Sequence, residues 1–337
     1  VASTREALKN LLSELPGDTA DSGDLDYFLA MSHAFSYQPV VVPVMRGKSP
    51  AGVLLAARRL ILGQAIGIVE VGRFCEGQPV IASESEKRFT LQQALRELCS
   101  WEDVHTVRLR TTPDRSLIET LSKIPDTTFD SEIVEIRDTL SLGSSLEEFL
   151  QTLGRRTRRN FRYYRRKALM SGCTCVEIAE PGLGRVAAKL VAHQRTSSYT
   201  GYRIQRFVAG LRRMPHPIFL GLQSPDGVWL SMIGGWHADQ RGYLLFQLNH
   251  NDQAYDRVSL SVALRSHFFE RLIERGVREV RFLGGLQGNL QMYCGPTENQ
   301  VITLRKVGWR SRLFLKEESL RMAGSRRFGR VLSAHGI

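Results

Sequence analysis

The thirteen residues Arg155–Lys167, RRTRRNFRYYRRK, carry eight cations and no acid. At about 100° per residue, Phe149, Leu153, Thr157, Phe161, Tyr164 and Ala168 fall within one arc. Arg155, Arg158, Arg159, Arg162, Arg165 and Arg166 fall opposite. The spacing predicts a long amphipathic helix with an arginine face. Ser145 followed by Glu148 fits a capping box at its start, and Gly172 supplies a stop. A merely solvated helix usually interleaves acids with its cations at i,i+4, because uncompensated like charges repel. Two readings follow: a basic face whose partner acids lie elsewhere in the fold, or a surface for a phosphate-bearing ligand. Arg158, Arg162, Arg165 and Arg166 are the anion-binding candidates.

The chain of 337 residues, 42% of them hydrophobic, is long enough for two packed domains. Lysine and arginine number 46 against 34 acids, a formal net charge of +12. That field favours nucleic acid, nucleotides or anionic headgroups and disfavours cationic partners. Cys75, Cys99, Cys173, Cys175 and Cys294 are odd in number and scattered, unlike a secreted disulfide framework. The longest apolar stretch, Ala51–Val69, is broken by Arg58 and Arg59, so no transmembrane segment is expected. A cytoplasmic protein follows, with peripheral contact at the inner membrane face left open. Cys173-x-Cys175 lacks a second ligand pair, and no HExxH occurs, so no metal is expected. Walker A, GxSxG and dinucleotide GxGxxG patterns are likewise missing, which removes support for phosphoryl transfer, serine-hydrolase and NAD chemistry.

Leucines at helical spacing predict a helix over residues 4–15 and another over Leu25–Phe35. Pro39–Met45, Gly52–Arg58 and Ile66–Val71 read as strands. A helix at Thr90–Ser100, a strand around Val107, a helix with Pro113 in its first turn and a strand at Phe129–Arg137 complete the first half. Gly143-Ser144-Ser145 marks a joint, where the alternation stops. Beyond it come a short strand at Cys173–Ala179, helices at Gly184–Thr196 and Ile204–Arg213, and strands at Pro217–Leu222, Val228–His237 and Tyr243–Leu248. Ser259 is the expected N-cap of a helix that Gly276 ends. Val280 and Phe282 then form a strand, followed by Gly284-Gly285, a short helix near Leu286–Tyr293 and a last strand within Val301–Trp309. The expected domains are 1–143, 144–315 and a basic tail at 316–337.

The runs SLEEFLQTLGRRTRRNFRYYRRKALMSG and YDRVSLSVALRSHFFERLIERGVREVRFLGG, followed by Tyr293, resemble the FemAB-like and CelD/BcsL-type acyltransferases of the GNAT superfamily. The resemblance spans most of 38–315 and is specific mainly in 146–172 and 255–293. It implies an α+β fold of two GNAT-like halves, each a mixed, largely antiparallel sheet flanked by helices. It also implies an acyltransferase, using acyl-CoA (acetyl-CoA or longer) as donor and needing no metal. The acceptor is a polar small molecule such as a sugar or an envelope precursor. Two alternatives stay open: an aminoacyl-tRNA-dependent peptidyl transferase of FemAB type, with tRNA as partner, and a non-catalytic module binding nucleic acid or anionic lipid. GNAT enzymes often carry a glycine-bearing loop before the pyrophosphate-binding helix, whereas Arg257–Ala263, RVSLSVA, has no glycine.

Under this resemblance the N-terminus of the Ser259 helix is the donor site, with Arg257, Ser259 and Leu260 beside the unsatisfied N–H groups. An ordinary capped helix is the plainer reading. Gly234 and Gly235 either offer backbone to a pantetheine arm or relieve packing around Trp229 and Trp236. Acyl transfer needs a base, an oxyanion stabiliser and an acid for the leaving group. His250 is the candidate base, with Asp252 beside it, and Tyr255 or Tyr293 the candidate acid. His193, Tyr199 and Tyr202 either line an acceptor pocket or sit in an exposed loop.

Overall fold

The computed structural model describes residues 22–61, 63–75, 79–193, 201–250, 255, 257–283 and 290–308. The expected helix at 4–15, Tyr199, Asp252, Gly284-Gly285, Leu286 and the tail at 316–337 lie outside these residues. In chain order the first elements are α1 (Ser22–Ala34), β1 (Tyr37–Arg46), β2 (Ser49–Ile61), β3 (Gln64–Val71), β4 (Val80–Ala82), α2 (Lys87–Ser100), β5 (Thr106–Thr111), α3 (Arg115–Leu121) and β6 (Thr127–Ser141). Next come α4 (Leu146–Thr152), α5 (Arg155–Met170), β7 (Thr174–Glu177), α6 (Leu183–Ala192), α7 (Gly201–Leu211), β8 (Pro217–Gln223), β9 (Trp229–Ala238) and β10 (Arg241–Asn249). The series closes with α8 (Leu260–Glu274), β11 (Glu279–Phe282) and β12 (Gly295–Lys306).

Two compact units result, and neither is continuous in sequence. Among the described residues, one comprises 38–134 and 299–308, the other 22–37 and 135–298. The joint expected at Gly143–Ser145 therefore differs from the observed division, which falls within β6. The reason is burial. Ile302 and Leu304 of β12 are buried in the core of the first unit with Val107 and Leu109 of β5, to which β12 pairs antiparallel. At the other end of the chain, α1 packs into the second unit, where the Tyr27 ring lies 5.7 Å from Trp236 and 6.1 Å from Tyr243. A hydrophobic pattern shows that these segments need a core, but not whose.

In the first unit the strand order is β1-β2-β3-β5-β12, then the first part of β6, with β4 on β2. The β2/β3 and β5/β12 pairs are antiparallel and β3/β5 is parallel. In the second unit the order is β7-β8-β9-β10-β11, then the end of β6, and only β10/β11 is parallel. Helix α8 makes the crossover that a parallel pair requires. In each unit the strands are mixed, largely antiparallel and flanked by helices, the α+β arrangement expected.

The basic stretch departs from the expected single helix. The chain breaks at Leu153-Gly154, giving the short α4 before α5. Ser145 caps α4, its hydroxyl accepting from Glu148 N at 3.1 Å, and the Glu148 carboxylate accepts from Ser144 N at 2.7 Å. The Ser144 hydroxyl first, and then the Ser144 N–H, bond the Glu148 carboxylate and hold its pKa below the ordinary value. Past the far end of α5, Gly172 is left-handed (φ +73°), and Cys173 N donates to Ala168 O, as a helix stop of this kind requires. Phe149, Phe161 and Phe269 meet in edge-on and stacked contacts at 5.3–6.3 Å and bind α4 and α5 to α8. Burying three phenylalanines at one point is worth roughly 5–9 kcal/mol, which fixes where the arginine face points.

Candidate functional site

In the second unit β10 outruns its parallel neighbour. Pairing with β11 covers Arg241–Leu244 against Glu279–Phe282 and stops there. From Leu245 to Asn249, β10 has no strand on that side among the described residues, while it stays paired to β9 on the other. A register shift between Leu244 and Phe246 inserts one extra residue. Such a bulge resets the in–out alternation. Phe246 accordingly turns to the Phe207 ring at 6.2 Å, and Gln247 turns to α8, where its Nε2 donates to Ser261 O at 3.1 Å.

Helix α8 begins beside this open edge. Ser259 holds the N-cap position, but its hydroxyl makes no capping bond and sits 3.3 Å from Ser261 Oγ. The first turn contains no acid. Arg265, one turn further in, donates from Nε to Gln247 Oε1 at 2.8 Å. It has no carboxylate partner among the described residues, and burial pulls its guanidinium pKa down from the ordinary value. A desolvated cation held by a neutral amide retains its charge for an incoming anion. Arg265 was absent from the sequence candidates. Its signal was a cation one turn into a helix whose start carries no acid, a pattern too common to single it out.

Beside the end of β10, Ser231 of β9, fully buried, bonds Leu248 O at 2.9 Å and Asn249 Oδ1 at 2.7 Å. His250 follows, its backbone N donating to Leu230 O at 2.7 Å. Its ring lies 4.4 Å from that of His193 at the end of α6, so two residues named separately from the sequence come together. Tyr255 is half-buried against the core and Arg257 is exposed. Tyr202 is exposed on α7.

Several candidates have other work. Leu260 is buried in the core cluster of the unit. Gly234 and Gly235 lie on β9, paired on both sides and buried. A Cβ on Gly234 would meet the Phe246 ring at 2.5 Å, and one on Gly235 would meet Phe268 at 2.7 Å and run into Tyr243 O. Of the two readings of these glycines, the packing one matches this geometry, with Phe246 and Phe268 as the neighbours instead of Trp229 and Trp236. Among the described residues, the unpaired backbone belongs to β10. Tyr293 closes the start of α5: its hydroxyl accepts from Gly154 N at 2.9 Å and lies 3.3 Å from Thr157 Oγ1.

The arginine face is divided. Arg165 makes two bonds to the Glu270 carboxylate at 2.6 and 2.8 Å, and Arg162 is paired with Glu147. Arg158 and Arg166 have no acidic partner among the described residues, and the same holds for Arg155, Arg156 and Arg159. The described residues contain no group of three or more His, Cys, Asp or Glu placed to hold a metal ion. No described helix is long and apolar enough to cross a membrane.

No family model and no curated protein matches the chain. Solved structures do. FemX aligns with a TM-score of 0.57 at 11% identity, over 88% of this chain and 95% of FemX. The C-terminal domain of a putative lysylphosphatidylglycerol synthetase from Agrobacterium fabrum gives 0.56 at 11% identity, over 95% and 96%. A tandem GNAT protein from the clavulanic acid biosynthesis pathway gives 0.51 at 11% identity, over 87% and 98%. The chain shares its fold with FemX and with the tandem GNAT protein, the fold that the resemblance implied.

Proposed function

We propose that this protein transfers an acyl or aminoacyl group from an activated, phosphate-bearing donor to an amine or hydroxyl of a polar acceptor. The donor lies in the gap between β10 and the start of α8. Arg265 is the observation that carries this reading: a half-buried guanidinium held by Gln247, without a carboxylate partner among the described residues, beside an acid-free helix N-terminus. Backbone amides there complement a donor phosphate. The edge from Leu245 to Asn249, which has no strand beside it among the described residues, supplies N–H and C=O groups for an extended donor arm, in the manner of an added strand.

Attack on the donor carbonyl requires removal of a proton from the acceptor. His250, with His193 beside it, is the base, an imidazole nitrogen being able to take up the acceptor's proton. A backbone N–H of β10 steadies the oxyanion, and Tyr255 is the acid for the leaving group. Tyr293 is less suited, because its hydroxyl already holds Gly154 and Thr157. The acceptor attacks the donor directly, with no covalent enzyme intermediate, as no cysteine or serine stands in a nucleophile setting.

Acyl-CoA, acetyl or longer, is the first reading of the donor, its phosphates set against Arg265 and the start of α8. Aminoacyl-tRNA is the second reading, favoured by the likeness to FemX and by the basic second unit. Titration calorimetry with acetyl-CoA and longer acyl-CoAs, alongside filter binding of charged and uncharged tRNA at two salt concentrations, separates them. RNA affinity falls steeply with salt through counterion release. Heat with an acyl-CoA that Arg265→Gln abolishes supports the first donor. Silence toward every acyl-CoA and toward charged tRNA removes the transferase reading.

A further inference from the structure

Helix α5 presents one exposed face with an unusual mixture. Arg155, Arg159, Arg162 and Arg166 recur at i, i+4, i+7 and i+11 and are all exposed, forming a single ridge along the helix. Only Arg162 has an acidic partner among the described residues. The ridge extends roughly 16 Å at 1.5 Å per residue. The same face carries three large apolar or aromatic side chains, Tyr163 in mid-helix and Leu169 and Met170 at its C-terminal end. Tyr163 is 51% exposed, Leu169 72% and Met170 75%, and no other described element of the second unit presents three. The opposite side of the helix is committed to the core through Thr157, Phe161 and Ala168, so this face is oriented outward by the fold.

We infer that the exposed face of α5 docks the protein on an anionic lipid bilayer. The arginines reach lipid phosphates, for which the planar guanidinium is suited, and each basic residue near such a surface contributes about 1 kcal/mol. Leu169, Met170 and Tyr163 enter the headgroup boundary, where an apolar body with a polar tip is favoured. Apolar side chains scattered singly on a surface need no explanation, but these three continue a cationic ridge on one helix. A nucleic-acid backbone pairs with the same arginines yet leaves Leu169 and Met170 without a role, so the bilayer accounts for the whole face. This inference does not depend on the donor site and is read by a different assay.

The test is co-sedimentation of the full chain with phosphatidylcholine vesicles, with and without phosphatidylglycerol, beside binding of a structured RNA. The unmodified chain is expected to sediment with the mixed vesicles and not with the neutral ones. R155Q/R159Q/R166Q should lose about a hundredfold in vesicle affinity, from three charges at about 1 kcal/mol each and 1.4 kcal/mol per tenfold. L169S/M170S should weaken vesicle binding by about tenfold and leave RNA binding unchanged. K48Q/R115Q/K123Q removes the same charge from exposed positions elsewhere and should bind vesicles as the parent does. The inference fails if the chain ignores mixed vesicles, if the remote triple variant loses as much as the ridge variant, or if L169S/M170S retains full vesicle affinity. RNA binding that depends on the ridge, with no vesicle binding, replaces the bilayer with nucleic acid. Unchanged melting curves establish that each variant is folded.

Discussion

Helices α5 and α8 pack on one another through the Phe149–Phe161–Phe269 cluster, yet their N-termini are treated in opposite ways. At α5 the N-cap is Gly154, and the hydroxyl of Tyr293, distant in sequence, takes up its N–H. Only glycine allows this approach, since a Cβ there would lie 2.6 Å from the tyrosine oxygen. At α8 the N-cap is Ser259, the residue type that ordinarily caps, and it does not. Their arginines differ in the same sense. Arg165 of α5 is taken by Glu270, whereas Arg265 of α8 is held by a neutral amide. A helix start that is closed by its own fold is structural; one left open next to an uncommitted cation is available to a ligand.

The sharpest way to break this contrast is to exchange the two arginines for glutamine. Arg265→Gln should lower kcat/KM for transfer, or donor affinity, by tenfold to over a hundredfold, corresponding to roughly 1.5–3 kcal/mol for a charged hydrogen bond. Arg165→Gln should leave transfer unchanged and cost only about 0.5–1 kcal/mol of stability, because the pair is one-third exposed. Equal losses in activity from both variants would erase the distinction. Next in size is Tyr293→Phe, which removes both hydroxyl contacts at the start of α5. A loss of about 1 kcal/mol in chemical denaturation is expected, with kcat retained. A fall in kcat without loss of stability would instead make Tyr293 a proton donor and return it to the catalytic group.

Much of this was legible in the chain because it is local. The Ser145–Glu148 cap, the Gly172 and Gly276 stops and the buried arc of Phe149, Leu153, Phe161 and Ala168 follow from spacing along one helix. The break at Leu153-Gly154 was not, since a helical wheel continues through it without a fault and the cause is Tyr293, far along the chain. Gly234 and Gly235 drew attention as glycines in a strand, and their cause is the aromatic rings of Phe246 and Phe268 on neighbouring elements. Gln247 carried no local mark, and Arg265 only the common one of a cation a turn into an acid-free helix start. Their meeting depends on a bulge that turns one residue of β10 toward α8, which is a property of the sheet. His193 and His250 were each visible, but nothing short of the fold places their rings 4.4 Å apart.

The smallest expected effect concerns the junction of the two helices itself. His267 of α8 lies 3.7 Å from Glu270, beside Arg165. Burial first, and Arg165 second, lower its pKa below the ordinary 6.5, while Glu270 opposes them. His237 is lowered in the same direction, by burial and then by His216 and Arg275. A histidine with a depressed folded-state pKa is neutral in the fold while the unfolded chain takes up a proton. Its stabilising effect is therefore whole above about pH 6.5 and declines as pH falls from there toward the lowered folded value. Each such group gives at most about 1.4 kcal/mol per pH unit in that window. Denaturation between pH 7.5 and 5, conditions chosen to bracket about 6.5, should show stability falling on acidification, and His267→Gln should flatten the slope by less than one proton. A slope unchanged in that variant would mean that Glu270 offsets the burial, and that the carboxylate serves both Arg165 and a protonated His267. In that event α5 and α8 are joined by a three-membered charge cluster instead of a single ion pair, and Arg165→Gln would cost less at pH 5 than at pH 7.5, because it relieves the repulsion between Arg165 and a protonated His267.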